Sequence, residues 1–168
     1  MTLDDFTSPS LIVPRVHGRE AASVLQELAD ALMREQRVPD GSKFLEAVLN
    51  REAIMGSDWE AGVAFPHARL AELKDLSFAV GRSEEPLAWG GKAVRAVRLV
   101  FLIAIPLHQS EQYLSLISGL ARLSKAEQIV EKIHRADDAQ QIFELLQQIK
   151  VQTEREQKPA TKAVSATK

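Results

Sequence analysis

The segment at residues 51–70, REAIMGSDWEAGVAFPHARL, delivers a histidine to the end of a short apolar strand. It runs from the end of an amphipathic helix, through a polar turn, into a strand expected over residues 62–65. Pro66 should end that strand because proline cannot donate a hydrogen bond to a β-ladder. His67 follows directly, with an arginine on either side of it in the sequence. A histidine placed in this way between two cations is a candidate for phosphoryl chemistry.

Length and composition indicate one domain with its own core. The chain has 168 residues, and its 21 basic and 23 acidic residues give a net charge of −2. This balance offers no general attraction to nucleic acid or to an anionic membrane, so neither is expected as a partner. Cysteine is absent, which excludes disulfides and thiol chemistry. The polar start is unlike a signal peptide and no apolar run is long enough to cross a bilayer, so we expect a cytoplasmic protein without membrane insertion.

The order of apolar patterns predicts the fold class. Strands are expected at residues 11–13, 76–82, 87–89 and 97–105, with a turn at residues 83–86. Two helices are expected early in the chain, at residues 20–36 and at residues 43–53, and the second should be capped by Asp40 or Ser42. Three more helices are expected late in the chain, with caps at Ser110, at Ser124 and at Asp137 or Asp138. The strand at residues 97–105 is apolar throughout, which is typical of a central strand covered on both faces. The first strand, interrupted by Pro14, should lie at an edge.

We therefore predict a single layered α/β (α+β) domain with a mixed β-sheet flanked by helices. The domain should extend over residues 10–150. Residues 1–9 are expected to form a flexible lead-in. Residues 151–168 are polar and have no apolar period, so they are expected to form a disordered tail.

His67 has the chemistry of a phosphoryl acceptor. A neutral imidazole is a good nucleophile near neutral pH because the unperturbed pKa of histidine is about 6.5. It can form a labile phosphoramidate if a ring nitrogen is accessible and cations surround the phosphoryl oxygens. The alternative is a strand-end histidine that is hydrogen-bonded to a neighbouring carbonyl, and on residue type alone this structural role is the commoner one.

Arg51 and Arg69 are the nearest candidate cations, since a planar guanidinium can bind two phosphate oxygens. Each also has an ordinary alternative: Arg51 would complement the dipole at the end of its helix, and Arg69 could be a solvated side chain. His108 lies in the loop after the central strand, where α/β proteins often place functional groups, although a surface role is commoner. No histidine pair has the spacing of a helical zinc site and the chain has no cysteine, so a metal site is not expected.

Several short motifs together resemble the active-site signature of a known family. Arg51-Glu52-Ala53 is followed by Gly56-Ser57 and then by GVAFPHAR at residues 62–69. This order is similar to that of the fructose, mannitol and nitrogen-type enzyme IIA domains of the bacterial phosphotransferase system. The resemblance extends over residues 11–149 and implies the phosphotransferase/anion-transporter-like fold, a mixed sheet flanked by helices.

The resemblance also implies roles for individual residues. His67 would receive a phosphoryl group from the carrier HPr and pass it to a IIB component or use it as a regulatory signal. Arg51 would support the phosphate, with Arg69 as further support. The transfer runs directly between histidines, so no cofactor is implied.

The chain departs from the family pattern in two places. Residues 58–61, DWEA, replace a Gly-rich turn, and Tyr113 stands where many members carry a second active-site histidine. Tyrosine donates a hydrogen bond but cannot become a cation near neutral pH, and His108 could partly substitute for the missing imidazole. Two functions therefore stay open: a phosphocarrier that acts through His67, or a binding module that regulates a partner without being phosphorylated.

Overall fold

The most apolar strand of the chain forms the centre of a six-stranded mixed sheet. The computed structural model describes residues 1–90 and 95–152, except for the side chains of Glu60 and Arg95. The strands are β1 (Ile12–Val13), β2 (Asp58–Trp59), β3 (Val63–Ala64), β4 (His67–Leu70), β5 (Ser77–Trp89) and β6 (Arg95–Pro106). They lie in the order β1, β5, β6, β3, β2, and β4 also pairs with β6.

The pairing confirms the predicted edge and central strands. β1 lies at one edge, parallel to β5, and β6 lies between β5 on one side and β3 and β4 on the other. The predicted turn at residues 83–86 is wrong, because β5 runs through it with a shift in register between Arg82 and Leu87. At an irregularity of this kind, residues are left unpaired although the chain stays extended. Residues 83–86 are polar for this reason, and their sequence resembles that of a turn.

Helices cover both faces of the sheet. They are α1 (Ala21–Arg34), α2 (Gly41–Ile54), α3 (Ser110–Lys125), α4 (Glu127–Arg135) and α5 (Ala139–Leu146). Alternate residues of β6 point to opposite sides. Phe101 and Ile103 pack in the core formed with α3 to α5, whereas Leu102 and Ala104 pack in the core formed with α1 and α2. The predicted layered α/β domain is therefore confirmed. In the described part of the chain, no helix has the length and apolar character that a bilayer crossing requires.

Two of the predicted helix caps are present and two are not. Asp40 and Asp138 each accept a hydrogen bond from the backbone N–H three residues on, at 3.1 and 2.9 Å. Ser110 is the first residue of α3 and does not cap it. Ser124 lies within α3, where its hydroxyl donates to the carbonyl of Ala121 at 2.6 Å. Serine fits a cap pattern by type, but its hydroxyl can also bond back into its own helix.

The expected loose lead-in over residues 1–9 does not match the structure. A 3₁₀-helix, Leu3–Phe6, buries Leu3 and Phe6 in the core formed with α3 to α5. The N–H of Leu3 donates to the carbonyl of Ile149 at 3.0 Å. Two apolar residues in a short polar stretch show no period, so the sequence does not reveal this packing.

The end of the described chain packs beside this helix. The N–H of Val151 donates to the carbonyl of Met1 at 2.8 Å, and Val151 is buried. The predicted tail over residues 151–168 therefore starts with a core residue. Its part from residue 153 to residue 168 lies outside the described residues.

One arginine ties the sheet to the end of α4. Arg82 donates from Nε to the carbonyl of Pro14 at 2.8 Å, and from Nη1 to the carbonyls of Ile133 and Ala136 at 2.7 and 2.6 Å. The last carbonyls of a helix have no partner within it, so this guanidinium caps α4. Burial is the main cause that lowers the pKa of Arg82, which still leaves it charged at neutral pH.

The Arg82→Met variant should lower the free energy of unfolding by about 2 kcal/mol, because bonds from a charged donor contribute about 1.5–3 kcal/mol each and water replaces part of them. Urea unfolding followed by circular dichroism measures the change. Arg15→Met is a matched control, since the Arg15–Glu84 ion pair is mostly exposed and should contribute about 0–1 kcal/mol. A loss within about 0.5 kcal/mol for Arg82→Met, the usual range of surface substitutions, would contradict the capping role.

His134 lies in the same region and is half-buried. Its Nδ1 is buried and has no hydrogen-bond partner among the described residues. Burial, together with the positive charges of Arg98 and Arg82, lowers the pKa of His134. The unfolded chain therefore binds a proton at this position more readily than the folded chain does.

This difference predicts a loss of stability on acidification. Neutral His134 makes its full contribution to the free energy of unfolding above the pKa of the unfolded chain, about 6.5. This contribution is lost as the pH falls from there through the lower pKa of the folded chain. The His134→Gln variant cannot titrate, so its unfolding free energy should fall less over the same range. Urea unfolding from about pH 8 to pH 5 compares the two chains. Parallel stability curves would show that His134 does not contribute.

Candidate active site

Two short strands placed end to end deliver His67 to the edge of β6. β3 and β4 both run parallel to β6, with Ala64 opposite Val100 and His67 opposite Ile103. Between them, the carbonyl of Pro66 accepts a hydrogen bond from the N–H of Ile103 at 2.9 Å. The prediction that the strand stops at Pro66 is thus incomplete. Proline lacks only the donor, so the pairing is interrupted and a new strand begins at His67.

Four of the predicted site residues line one cavity of about 350 Å³. Arg51 reaches it from the last turn of α2, His67 and Arg69 from β4, and Tyr113 from the start of α3. The other lining residues are Ala47, Ala68 and Ile105. His108, the remaining candidate, is exposed and does not line the cavity. The structure therefore brings Tyr113, but not His108, to His67.

The ring of His67 is held in one tautomer by its own chain segment. Nδ1 lies 3.0 Å from the carbonyl oxygen of Phe65, which can only accept a hydrogen bond. Nδ1 therefore carries the proton in the neutral ring, and the lone pair is on Nε2. The structural role considered for a strand-end histidine is present, and it prepares the other ring nitrogen as a nucleophile.

Tyr113 contacts both His67 and Arg69. The ring centroids of His67 and Tyr113 are 5.8 Å apart, and Cζ of Arg69 lies 5.8 Å from the Tyr113 centroid. Burial raises the pKa of Tyr113, while the charges of Arg69 and Arg51 act in the opposite direction. The hydroxyl therefore stays protonated at neutral pH and can donate a neutral hydrogen bond.

The two guanidinium groups at the cavity are available to an anion. Arg51 and Arg69 are exposed, and neither forms an ion pair with a described side chain of residues 1–90 and 95–152. Arg51 also lies in the last turn of α2, so the dipole role is present as well. The described residues contain no group of three His, Asp or Glu side chains that could hold a metal ion. Two cations beside a nucleophilic nitrogen suit the oxygens of a phosphoryl group.

The loop before β3 forms a small hairpin that carries Trp59 outward. β2 and β3 are antiparallel neighbours. The indole of Trp59 packs against Phe65, with 6.3 Å between ring centroids, yet 46% of Trp59 is exposed. Ala61 and Gly62 turn the chain with φ angles of 65° and 71°, a conformation that glycine adopts more readily than alanine. The turn expected at residues 58–61 is therefore partly strand.

Glu52 supports the site; the sequence motif of residues 51–53 contains it but gave it no role. Its Oε2 accepts hydrogen bonds from the N–H of Ser57 at 3.1 Å and from Nε1 of Trp89 at 3.2 Å. These bonds tie the end of α2 to the start of the hairpin. Trp89 is 1% exposed, and an enclosed indole N–H needs an acceptor. A buried tryptophan in the sequence therefore predicts that some acceptor lies nearby, but it does not identify the carboxylate that supplies the oxygen.

The family comparison covers most of the chain. Residues 5–149 match the family model described as "Phosphoenolpyruvate-dependent sugar phosphotransferase system, EIIA 2". The matched span contains all four candidate residues of the cavity. It agrees with the resemblance seen in the motifs of residues 51–69.

Relatives in sequence include regulatory and sugar-specific proteins. A "Nitrogen regulatory protein" from Bradyrhizobium diazoefficiens is 29% identical over 146 residues, which is 87% of this chain and 95% of the relative. A "PTS system fructose-specific EIIABC component" from Bacillus subtilis is 25% identical over 148 residues, which is 88% of this chain but only 23% of that protein.

Solved structures share the fold. The nitrogen regulatory protein IIA-Ntr from Neisseria meningitidis aligns with a TM-score of 0.78 at 24% identity, covering 86% of this chain and 98% of the other. Enzyme IIAMTL from Escherichia coli, solved as a complex with phosphorylated enzyme IIBMTL, aligns with a TM-score of 0.70 at 17% identity, covering 83% and 95%.

Proposed function

Because the chain belongs to the EIIA type 2 family of the phosphoenolpyruvate-dependent sugar phosphotransferase system, we propose that it is a phosphocarrier whose His67 accepts a phosphoryl group from phospho-HPr. One observation carries the proposal: His67, whose Nδ1 donates to the carbonyl of Phe65 and leaves Nε2 as the nucleophile, lines a cavity that Arg51 and Arg69 also line. The phosphoryl group then passes to a IIB component or serves as a regulatory signal. We expect this exchange to take place in the cytoplasm.

The geometry suggests how the transfer proceeds. The lone pair of Nε2 attacks phosphorus and forms the new N–P bond, while the electron pair of the old N–P bond returns to the imidazole of the donor. Arg51 and Arg69 neutralise the charge on the transferring oxygens. The ring of His67 gains positive charge in this step, and the carbonyl of Phe65 stabilises it through the bond from Nδ1. Tyr113 adds a neutral hydrogen bond from its hydroxyl.

The proposed partners follow from the relatives. A IIB partner is supported by the enzyme IIAMTL structure, which was solved in complex with phosphorylated enzyme IIBMTL. The fructose-specific relative supports a role in transport, and the nitrogen regulatory relative supports a role in regulation. The relatives are therefore compatible with either use of the phosphoryl group.

A direct test is incubation of the purified chain with phosphoenolpyruvate, enzyme I and HPr. The expected product carries one phosphate that is labile in acid and stable in alkali, as a phosphohistidine is, and ³¹P NMR should show a single N-phosphoryl signal. Omission of HPr should prevent its formation. Absence of phosphate after complete phosphorylation of HPr itself would contradict the proposal.

A second candidate function is a binding module that regulates a partner without being phosphorylated. Tyr113 favours it, because a neutral tyrosine lies against His67 where many relatives are expected to supply an imidazole. Affinity for a IIB component should then be equal for the wild-type chain and for His67→Ala, with or without the phosphorylating mixture. A phosphorylation-dependent affinity that is lost in His67→Ala would exclude this function.

A further inference from the structure

A half-buried anchor, the carboxylate of Glu52, lies at the end of α2 on the residue that follows Arg51. The Oε2 atom of Glu52 accepts two hydrogen bonds, from the N–H of Ser57 at 3.1 Å and from Nε1 of the buried Trp89 at 3.2 Å. An ionised carboxylate forms stronger bonds of this kind than a neutral acceptor does. The start of the hairpin is thereby fixed to α2 and to the end of β5.

The anchored backbone leads by consecutive hydrogen bonds to the phosphoryl acceptor. The carbonyl of Ser57 accepts from the N–H of Phe65 at 3.0 Å, and the carbonyl of Phe65 accepts from Nδ1 of His67 at 3.0 Å. Glu52, Ser57, Phe65 and His67 thus form one series of hydrogen-bonded groups.

We propose that Glu52 is a positioning residue for His67. It holds the Phe65 carbonyl where it fixes the proton on Nδ1 and keeps Nε2 free, and this role rests on the proposed phosphocarrier function. Arg51 and Glu52 are adjacent, so one helix end carries both a cation that lines the cavity and the anchor of the nucleophile. Loss of the Glu52 carboxylate should therefore change the tautomer of the His67 ring without removing any group that contacts the phosphate.

The turn that follows Glu52 is tightly packed. A Cβ atom at Gly56 would lie 2.8 Å from Oδ1 of Asp58 and 4.0 Å from Oε2 of Glu52. Between β2 and β3, Ala61 and Gly62 turn the chain with positive φ. One strand of this hairpin, β3, is held by its pairing with β6, and the bonds to Glu52 hold the start of the hairpin.

The decisive variant is Glu52→Leu, with Glu46→Leu as the matched control. Glu46 lies on the same helix but is exposed and makes no contact in this series. Leucine should be tolerated at position 52, because the side chain borders a cavity of about 550 Å³ whose lining includes Leu25, Leu49 and Ile54. Circular dichroism first establishes that both variants are folded.

The first readout is the tautomer of His67, measured by ¹⁵N NMR of the unphosphorylated protein at a pH where the ring is neutral. The wild-type chain and Glu46→Leu should carry the proton mainly on Nδ1. Glu52→Leu should show a mixture of the two tautomers. This measurement does not depend on phosphotransfer, so it tests the positioning role even if the wild-type chain proves not to be phosphorylated.

The second readout is the rate of phosphorylation by phospho-HPr. Glu52→Leu should lower the maximal rate about 10-fold, with KM for phospho-HPr nearly unchanged, since the nucleophile is misplaced while the docking surface is kept. Glu52→Gln retains a weaker acceptor and should shift the tautomer and the rate in the same direction by less. An unchanged tautomer together with an unchanged rate in folded Glu52→Leu would overturn the proposal. If Glu52→Leu does not fold, unchanged values in Glu52→Gln would overturn it.

Discussion

The His67→Ala variant should take up less than about 1% of the phosphate that the wild-type chain takes up from phospho-HPr, because without the nucleophile no atom can form the bond to phosphorus. In this structure Nε2 of His67 is the unprotonated ring nitrogen at the cavity, while Nδ1 is engaged with Phe65. Alanine removes the ring and leaves the neighbouring cations in place. Radiolabelled phosphoenolpyruvate with enzyme I and HPr measures the uptake.

His108→Ala is the control for this experiment. His108 is exposed and does not line the cavity, so this variant should be phosphorylated at the wild-type rate. Phosphate that persists in His67→Ala would refute the assignment of His67. Phosphate that is lost in His108→Ala instead would identify the other histidine as the acceptor.

Loss of the Arg51 guanidinium should slow phosphorylation about 100-fold, the lower end of the range seen when one stabilising donor is removed from a transition state. Arg51 is unpaired among the described residues and lines the cavity from the end of α2, so its charge is free to interact with the transferring oxygens. Arg51→Leu tests this in a rapid-quench assay with phospho-HPr. Arg51→Lys should be intermediate, because an ammonium group keeps the charge but not the two-pronged geometry.

Arg34→Leu separates this effect from the helix dipole. Arg34 occupies the last turn of α1 as Arg51 occupies the last turn of α2, and it is exposed and does not line the cavity. Both substitutions should cost a similar, small amount of stability through the dipole. Only Arg51→Leu should slow phosphorylation. Equal phosphorylation rates in Arg51→Leu and Arg34→Leu would show that Arg51 only complements the helix dipole and does not assist phosphoryl transfer.

The sequence was sufficient to predict the layered fold and four of the residues around the cavity. His67 and Arg51 belong to motifs that are close in the chain, so their meeting follows from a single helix–turn–strand unit. Tyr113 is distant in sequence, and only the resemblance to the enzyme IIA domains placed it at the site. Its contact with His67 agrees with that placement.

Other features depended on contacts that no local pattern encodes. The segment before and after Pro66 is divided into β3 and β4 because Pro66 interrupts the pairing with β6. This division can be recognised only when the pairing with β6 is known. The burial of Leu3 depends on residues 149–151, which are distant in sequence and meet it only after folding. Glu52 belongs to the motif at residues 51–53, but its bonds to Ser57 and Trp89 cannot be read from the sequence.

The path from Glu52 to His67 passes through main-chain atoms only, at Ser57 and Phe65. Every amino acid except proline supplies the same N–H and C=O groups, so this path is indifferent to which side chains stand at those two positions. Any substitution at residues 57 and 65 except proline should therefore leave these hydrogen bonds in place. The proposed placement of the His67 ring then depends on the side chains at the two ends of the path, Glu52 and His67.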